Sequence, residues 1–478
     1  MCSCSIHRKQ FAPQCRYPSI MTWTPQLDTG KGVGRMQRTS LPLAAPRLRP
    51  NRLPPHVWRL LTVRSLRSFS QGYLNVVVPL YLISLGMSTR DLGLLFSASF
   101  LVGAALLLPV GVYADRFGRK PFLIGFTLLI ILWGLLYTES TNWMILAAIG
   151  ALAGIGRGGA GEGNGQGGPF APAEQAMLAD LVPTPYRQSV FTWNSFLSAV
   201  FTGLGAVVSG FPFWFPGLHV GNFSGDRVLF VATVAIGIVS LAILWKLPEP
   251  SRDKQPNGEP HLDKAPKPRA SSATEPHVLR RKHSRLPYKP MSSLSVRLAL
   301  QQSAAGAANT FGLGFINSLF VVWLHDRYHV NADVIGSIFS ATYVAQAVGV
   351  FVAARLARRI GPVYTVVGTR VIASLLVVAT AFAPTVLVAG ILQVMRMAVA
   401  TMAAPVRQSF MMGLFLPNER ARASAVVGVA RRIPAALSPA VSGDMMTMGA
   451  LQAPLYISGI FQLMSAYLYF RYFSALDE

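Results

Sequence analysis

Twelve apolar blocks, each long enough to cross a lipid bilayer, set the strongest limit on what this chain can fold into. They fall at 58–85, 91–113, 120–138, 143–181, 188–212 and 227–247, and again at 297–323, 334–355, 363–383, 385–415, 421–446 and 450–473. A bilayer-spanning helix needs about twenty mostly apolar residues. Transmembrane strands are shorter and alternate at period two, which these blocks do not. Between the two sets of six lies 248–296, polar and proline-rich, with too little apolar surface to fold alone. The expected organisation is an all-α integral membrane protein. It has a basic, disordered N-terminal tail (1–56), a six-helix bundle (57–247), a disordered basic linker (248–296), a second six-helix bundle (297–473) and a short C-terminal tail (474–478).

Composition and charge narrow the function. Only 13% of the 478 residues are charged and 52% are hydrophobic, against about a quarter charged in soluble proteins. The net charge of +24 would suggest nucleic acid in a soluble protein. Its placement argues otherwise. Residues 1–57 hold nine Lys/Arg and one acid, and 248–297 hold eleven and five. Basic segments beside spans read as cytoplasmic, facing anionic lipid, so nucleic acid is not an expected partner. Loops expected inside carry Arg116, Arg119, Lys120, Arg187, Arg355, Arg358, Arg359, Arg420 and Arg422; those outside carry Arg90, Arg227 and Arg327. Both termini are therefore expected to be cytoplasmic, in a cell (inner or plasma) membrane. Cys2, Cys4 and Cys15 lie in the tail, so no disulfide framework or metal site is expected. No apolar core follows the basic start as in a signal peptide, and the tail's composition predicts Met21 or Met36 as the translated start.

The two halves are related in sequence. Gly72-Tyr73-Leu74-Asn75 matches Gly314-Phe315-Ile316-Asn317 at an offset of 242, and Gly118 matches Gly361 at 243. Pro172, Gln175 and Arg187 match Pro405, Gln408 and Arg420 at 233. Repeated six-helix halves are a transporter architecture.

Gly111-Val112-Tyr113-Ala114-Asp115-Arg116-Phe117-Gly118-Arg119-Lys120, between the second and third blocks, closely resembles the G-x-L-A-D-R-x-G-R-K signature of the major facilitator superfamily. Tyr113 departs from it, and the counterpart Ala354–Gly361 is degenerate, with Arg358 where Asp115 would stand. The resemblance covers 57–473. It implies two pseudo-symmetric bundles of six helices around a cavity that opens alternately to each side. It makes Gly111, Asp115, Arg116, Gly118, Arg119 and Lys120 gate residues, with Asp180 pairing the loop's arginines. Asp115 can also meet the positive N-terminal end of a neighbouring helix.

Polar residues inside spans usually face a cavity. Arg64, Arg67, Ser68, Gln71 and Asn75 share one face of the first span, and Gln302, Asn309, Thr310 and Asn317 form a comparable stripe in the seventh. Asn75 and Asn317 are expected to face each other across the pseudo-twofold. Interhelical hydrogen bonding is the plainer use of such residues. Arg157 and Arg396 lie deep in their spans, and a fixed guanidinium suits carboxylate or phosphate. Glu174 is the strongest candidate for proton coupling, since a buried carboxyl can load and release a proton. A salt bridge to a nearby arginine is the alternative. In the glycine-rich run 158–168, Glu162, Asn164 and Gln166 offer oxygens to an ion or substrate, or form a flexible bulge.

These readings predict a secondary active transporter. Its substrate is a small anionic or neutral solute, its coupling is to protons or to exchange, and it works as a monomer without a cofactor. The expected substrate-binding residues are Gln71, Asn75, Arg157, Asn317 and Arg396, with Glu174 and Glu162 for protons. The alternatives are a multidrug:proton exporter and a non-transporting receptor or scaffold. No nucleophile–base pair or metal-ligand spacing suggests an enzyme.

Overall fold

The computed structural model describes residues 20–22, 37–39, 55–153, 174–175, 177–178, 181–182, 187–214, 225–247, 291–415 and 419–474. In the N-terminal segment, where the sequence predicts no folded element, Ile20–Thr22 pairs antiparallel with Gln37–Thr39. The rest is helical. The helices are α1 (Pro55–Ser84), α2 (Thr89–Phe117), α3 (Arg119–Glu139), α4 (Trp143–Ala153), α5 (Arg187–Val208), α6 (Phe211–Trp214) and α7 (Gly225–Trp245) in the first half. The second half has α8 (Ser293–Asn317), α9 (Phe320–Tyr328), α10 (Ala332–Ile360), α11 (Pro362–Ala381), α12 (Val386–Leu414), α13 (Arg420–Thr447) and α14 (Ala453–Phe473). Eleven of these have 20 residues or more, and α4 takes the twelfth position.

The helices are apolar on their outer faces as well as in their cores, and polar side chains are turned inward. Arg64, Ser68 and Asn75 of α1 are buried, while Leu128, Leu132 and Leu135 stand exposed along one face of α3. Among the described residues, six helices are each apolar and long enough to cross a membrane, or seven if the bent pair α8–α9 is one span. The block at 297–323, read as one helix, breaks after Asn317, and the chain turns by 41° before α9.

Helix packing repeats between the halves. Helix α1 packs on α5 and α7 as α8 packs on α13 and α14, and α3 packs on α7 as α11 packs on α14. The halves meet through two equivalent pairs, α2 with α13 and α10 with α5. Local backbone repeats too. Gly118, between α2 and α3, has φ 96° and ψ 157°; Gly361, between α10 and α11, has φ 86° and ψ 157°. Only glycine adopts this region readily, which explains why both positions in the repeat are glycine.

Helix α1 begins and α14 ends on one face, the tail face; α1 ends and α2 begins on the opposite, far face. Near the far face one apolar core runs across both halves, joining Tyr73–Leu82, Trp133 and Tyr137 to Ile316, Leu319–Leu324, Phe339 and Tyr343. Toward the tail face the cores are separate. Val57, Leu60, Leu123, Met177 and Leu244 form one within the first half; Ala305, Val363, Val366, Tyr469 and Phe473 form another within the second. Cross-half hydrogen bonds follow the same division. Ser209 Oγ donates to the Ala332 carbonyl (3.0 Å), and the Ala440 amide donates to Ser97 Oγ (2.9 Å). Arg90 and Asp444 pair at 3.3 Å. Among the described residues, the bundles are thus joined at the far face, and each has its own apolar core toward the tail face.

Candidate functional site

Three polar groups lie along the inner surfaces of the helices. On α1, Gln71 Nε2 donates to Asn75 Oδ1 (3.0 Å), one helical turn away, and Asn75 Nδ2 donates to the Tyr343 hydroxyl on α10 (3.1 Å). This link crosses between the halves, directly beneath the far-face core. Asn75 and Asn317, expected to face each other, do not hydrogen-bond to one another; each has a partner on another helix. Asn75 meets the tenth helix because α10 is one of the two helices that pack across the interface.

Asn317 closes α8, and its Oδ1 accepts from Arg396 Nη2 on α12 (3.0 Å). Arg396 Nε donates to Gln393 Oε1 (2.9 Å). The guanidinium is fully buried, and Nη1 has no partner. Gln346 on α10 is also fully buried, with neither amide atom bonded. Helices α10 and α12 run parallel and in contact. A Cβ on Gly390 would lie 3.0 Å from Ile338, and one on Gly349 would lie 2.9 Å from the Ala398 carbonyl. Those two contacts bracket Gln346 and Arg396 and put them at one level. Buried polar atoms in native proteins nearly always have partners. Two such residues level with each other form a natural place for a polar ligand.

Nearer the tail face, Glu174 is buried and accepts from Arg64 Nη1 (3.1 Å) and from Arg67 Nη2. The salt-bridged alternative for Glu174 is therefore the observed geometry, and the three side chains together carry a net positive charge. Arg64 Nε and Nη2 are buried without partners. Ser68 Oγ and Ser198 Oγ share a hydrogen bond of 2.7 Å just above, pinning α1 to α5.

Of the expected gate, Gly111, Asp115 and Arg116 lie in the last turns of α2, and their side chains fall outside the described structure. Gly118 makes the turn already described, and Arg119 opens α3. Lys120 Nζ donates to the Trp245 carbonyl at the end of α7 (2.8 Å), where a helix C-terminus favours a cation. This contact stays within the first bundle. Arg157, Glu162, Asn164, Gln166 and Asp180 lie outside the described residues. Sequence reasoning missed Tyr343 and Gln346. Both are polar residues three apart on one face of α10, the same signal that drew attention to α1.

Comparison with known proteins agrees with this architecture. The chain is 21% identical over 408 residues to the uncharacterized membrane protein YJR124C of Saccharomyces cerevisiae, covering 82% of this chain and 88% of that one. It is 25% identical over 206 residues to the 4-hydroxybenzoate transporter PcaK of Pseudomonas aeruginosa, 42% of each. Its fold resembles a bacterial homologue of the human lysosomal transporter Spinster, solved in an inward-facing and occupied conformation. The TM-score is 0.63 at 16% identity, over 88% of this chain and 96% of that one. The sequence model of the Major Facilitator Superfamily matches residues 60–298 and 303–477. With its repeated six-helix halves, its far-face closure and its glycine-hinged loop, the chain belongs to the major facilitator superfamily.

Proposed function

We propose that this protein is a secondary active transporter of a small organic anion. The solute is held at the level of Arg396 and Gln346 and exchanged between faces by rocking of the two bundles. The carrying observation is that Arg396 Nη1 and the Gln346 amide are fully buried, level and unpartnered. A guanidinium offers a fork of donors that matches a carboxylate, and an amide adds one donor and one acceptor for a hydroxyl or second oxygen. Arg396 already spends two donors on Asn317 and Gln393, which fix its plane, so the remaining edge is pre-oriented. Nearer the tail face, the two cations and one anion of the Arg64–Arg67–Glu174 group add positive potential along the same route. The relative that carries 4-hydroxybenzoate is consistent with a carboxylate substrate.

In this reading the tail face is cytoplasmic, following the loop arginines, and the conformation described is open toward the cytoplasm. Glu174 and a proton, or a second solute, supply the coupling. Asn75 and Tyr343 close the site from the far face.

The test is uptake into proteoliposomes, using aliphatic and aromatic carboxylates and their uncharged amides. Saturable uptake of a carboxylate, with the amide excluded and KM raised about tenfold or more by Arg396→Lys, is the expected outcome, one lost bidentate contact amounting to about 1.4 kcal/mol. Uptake of lipophilic cations alone would reject the proposal in favour of a multidrug exporter.

A further inference from the structure

The tail-face end of the first bundle carries a cluster of cations that the proposed site does not use. Helix α7 ends at Trp245, and the carbonyls at its end are met from two sides. Arg59 Nη1, at the start of α1, donates to the Lys246 carbonyl (3.0 Å). Lys120 Nζ, at the start of α3, donates to the Trp245 carbonyl (2.8 Å). Three helix ends are thereby drawn to one corner. Lys246 itself is exposed and adds a third cation. Among the described residues, none of the three forms an ion pair. A helix C-terminus carries about half a negative charge. Three full positive charges exceed it several-fold, so capping α7 does not account for the cluster.

Two tryptophans accompany the cations. Trp58 precedes Arg59 and Trp245 precedes Lys246, and both are exposed while Val57, Leu60, Leu244 and Leu247 beside them are buried. Tryptophan collects at the membrane–water interface, where its ring meets the apolar edge and its N–H meets water. Deeper along the same helices the outer surface is aliphatic, with Leu128 and Leu132 exposed on α3 and Ile238 and Val239 on α7. Cations, indoles and aliphatic side chains thus follow one another in the order of phosphate, glycerol and acyl chain. The charge selects the headgroup. A phosphodiester offers anionic oxygens to the Lys246 ammonium and to the donors that Arg59 has left beyond its one carbonyl contact. Choline or ethanolamine would bring a cation of its own against this cluster, and an anionic headgroup brings none.

We propose that this corner binds an anionic phospholipid of the tail-face leaflet, with Arg59, Lys120 and Lys246 about its phosphate and Trp58 and Trp245 at the glycerol level. The bound lipid sets the depth at which α1, α3 and α7 meet the membrane surface. It is a partner of the first bundle alone and is independent of the solute carried.

The test is native mass spectrometry of the full-length protein in detergent, titrated with phosphatidylglycerol and with phosphatidylcholine of matched chains. The expected result is a first phosphatidylglycerol bound about tenfold or more tighter than phosphatidylcholine. Each Lys or Arg near an anionic surface strengthens attraction about fivefold, so Lys246→Glu should weaken phosphatidylglycerol by about fivefold or more. This change alters an exposed side chain that makes no hydrogen bond, so it leaves folding intact. Arg471→Glu, the same reversal at the tail-face end of α14, should leave that first lipid bound as before. Soluble glycerophosphate should not displace it. Equal affinity for the two lipids, or a preference that survives Lys246→Glu, would overturn the proposal. Equal losses in Lys246→Glu and Arg471→Glu would also overturn it, since the attraction would then belong to the whole face. Displacement by glycerophosphate would replace the lipid with a free phosphate and reject the proposal as stated.

Discussion

Gly93 and Gly336 stand 243 positions apart, and each lets its helix meet the opposite bundle backbone to backbone. A Cβ on Gly93 would run into the Pro439 carbonyl of α13, and one on Gly336 would run into Ser209 and the Ala206 carbonyl of α5. Gly443 and Gly210 complete the two crossings from the other side, against Gly93 and Asp333 respectively. The far-face closure is therefore built twice from one pattern, once at each of the two helix pairs that join the halves.

Valine at either Gly93 or Gly336 should pry this closure apart. Overpacking a tight contact costs about 1–3 kcal/mol, which corresponds to roughly a 5- to 150-fold shift in a two-state population. Spin labels on the far-face ends of α2 and α13 would report it as a longer-distance population in Gly93→Val. An unchanged distance distribution would mean that the crossing does not control opening.

Glu174→Gln should destabilise the protein more than loss of one ion pair on a surface would. The change leaves Arg64 and Arg67 buried beside each other without their anion, and breaking a buried pair in this one-sided way costs about 3–5 kcal/mol. Thermal unfolding in detergent is the measurement. The double change Glu174→Gln with Arg64→Gln should recover part of the loss, because it removes one of the stranded cations. Full additivity of the two changes would show that the pair is not coupled.

Gln346→Leu should separate binding from folding. Its amide is buried and unbonded, so an apolar replacement of similar volume removes a desolvation cost and leaves Tm unchanged or raised. Substrate affinity should fall by about tenfold, equivalent to about 1.4 kcal/mol. A fall in Tm with unchanged affinity would mark Gln346 as a packing residue.

Alanine at Gly118 or at Gly361 should cost a similar amount, about 1–3 kcal/mol, since both positions hold backbone angles that L side chains rarely adopt. Matched losses in Tm for the two single variants would confirm that the loops share one conformation despite their different sequences. A loss at Gly118 alone would tie the requirement to the complete motif that surrounds it.

Much of the scaffold could be read from the chain because its cause is local. Bilayer thickness fixes the length of an apolar block, and a turn that only glycine can make fixes Gly118 and Gly361. The stripes on α1 and α8 were legible for the same reason, since period alone puts Gln71 and Asn75 on one face. Partner choice was not legible. The meeting of Asn75 with Tyr343 joins residues 268 positions apart, through a helix pair whose crossing rests on glycines that carry no polar signal. The break after Asn317 was hidden because Asn317 and Ser318 sit between two apolar runs that read as one block. Gln346 escaped notice although it shares a helical face with Tyr343, because it has no polar counterpart in the repeat.

The division between a shared core at one face and private cores at the other has an evolutionary consequence. Damage to a private core, as at Val366 or Leu123, lowers the amount of folded protein and leaves the balance between the two orientations as it was. Under the proposed rocking of the bundles, damage to the residues that meet across the halves at the shared core, as at Asn75 or Tyr343, bears in addition on which side the site faces at rest. Under that proposal, selection can tune the resting orientation through positions that only partly overlap those that govern abundance.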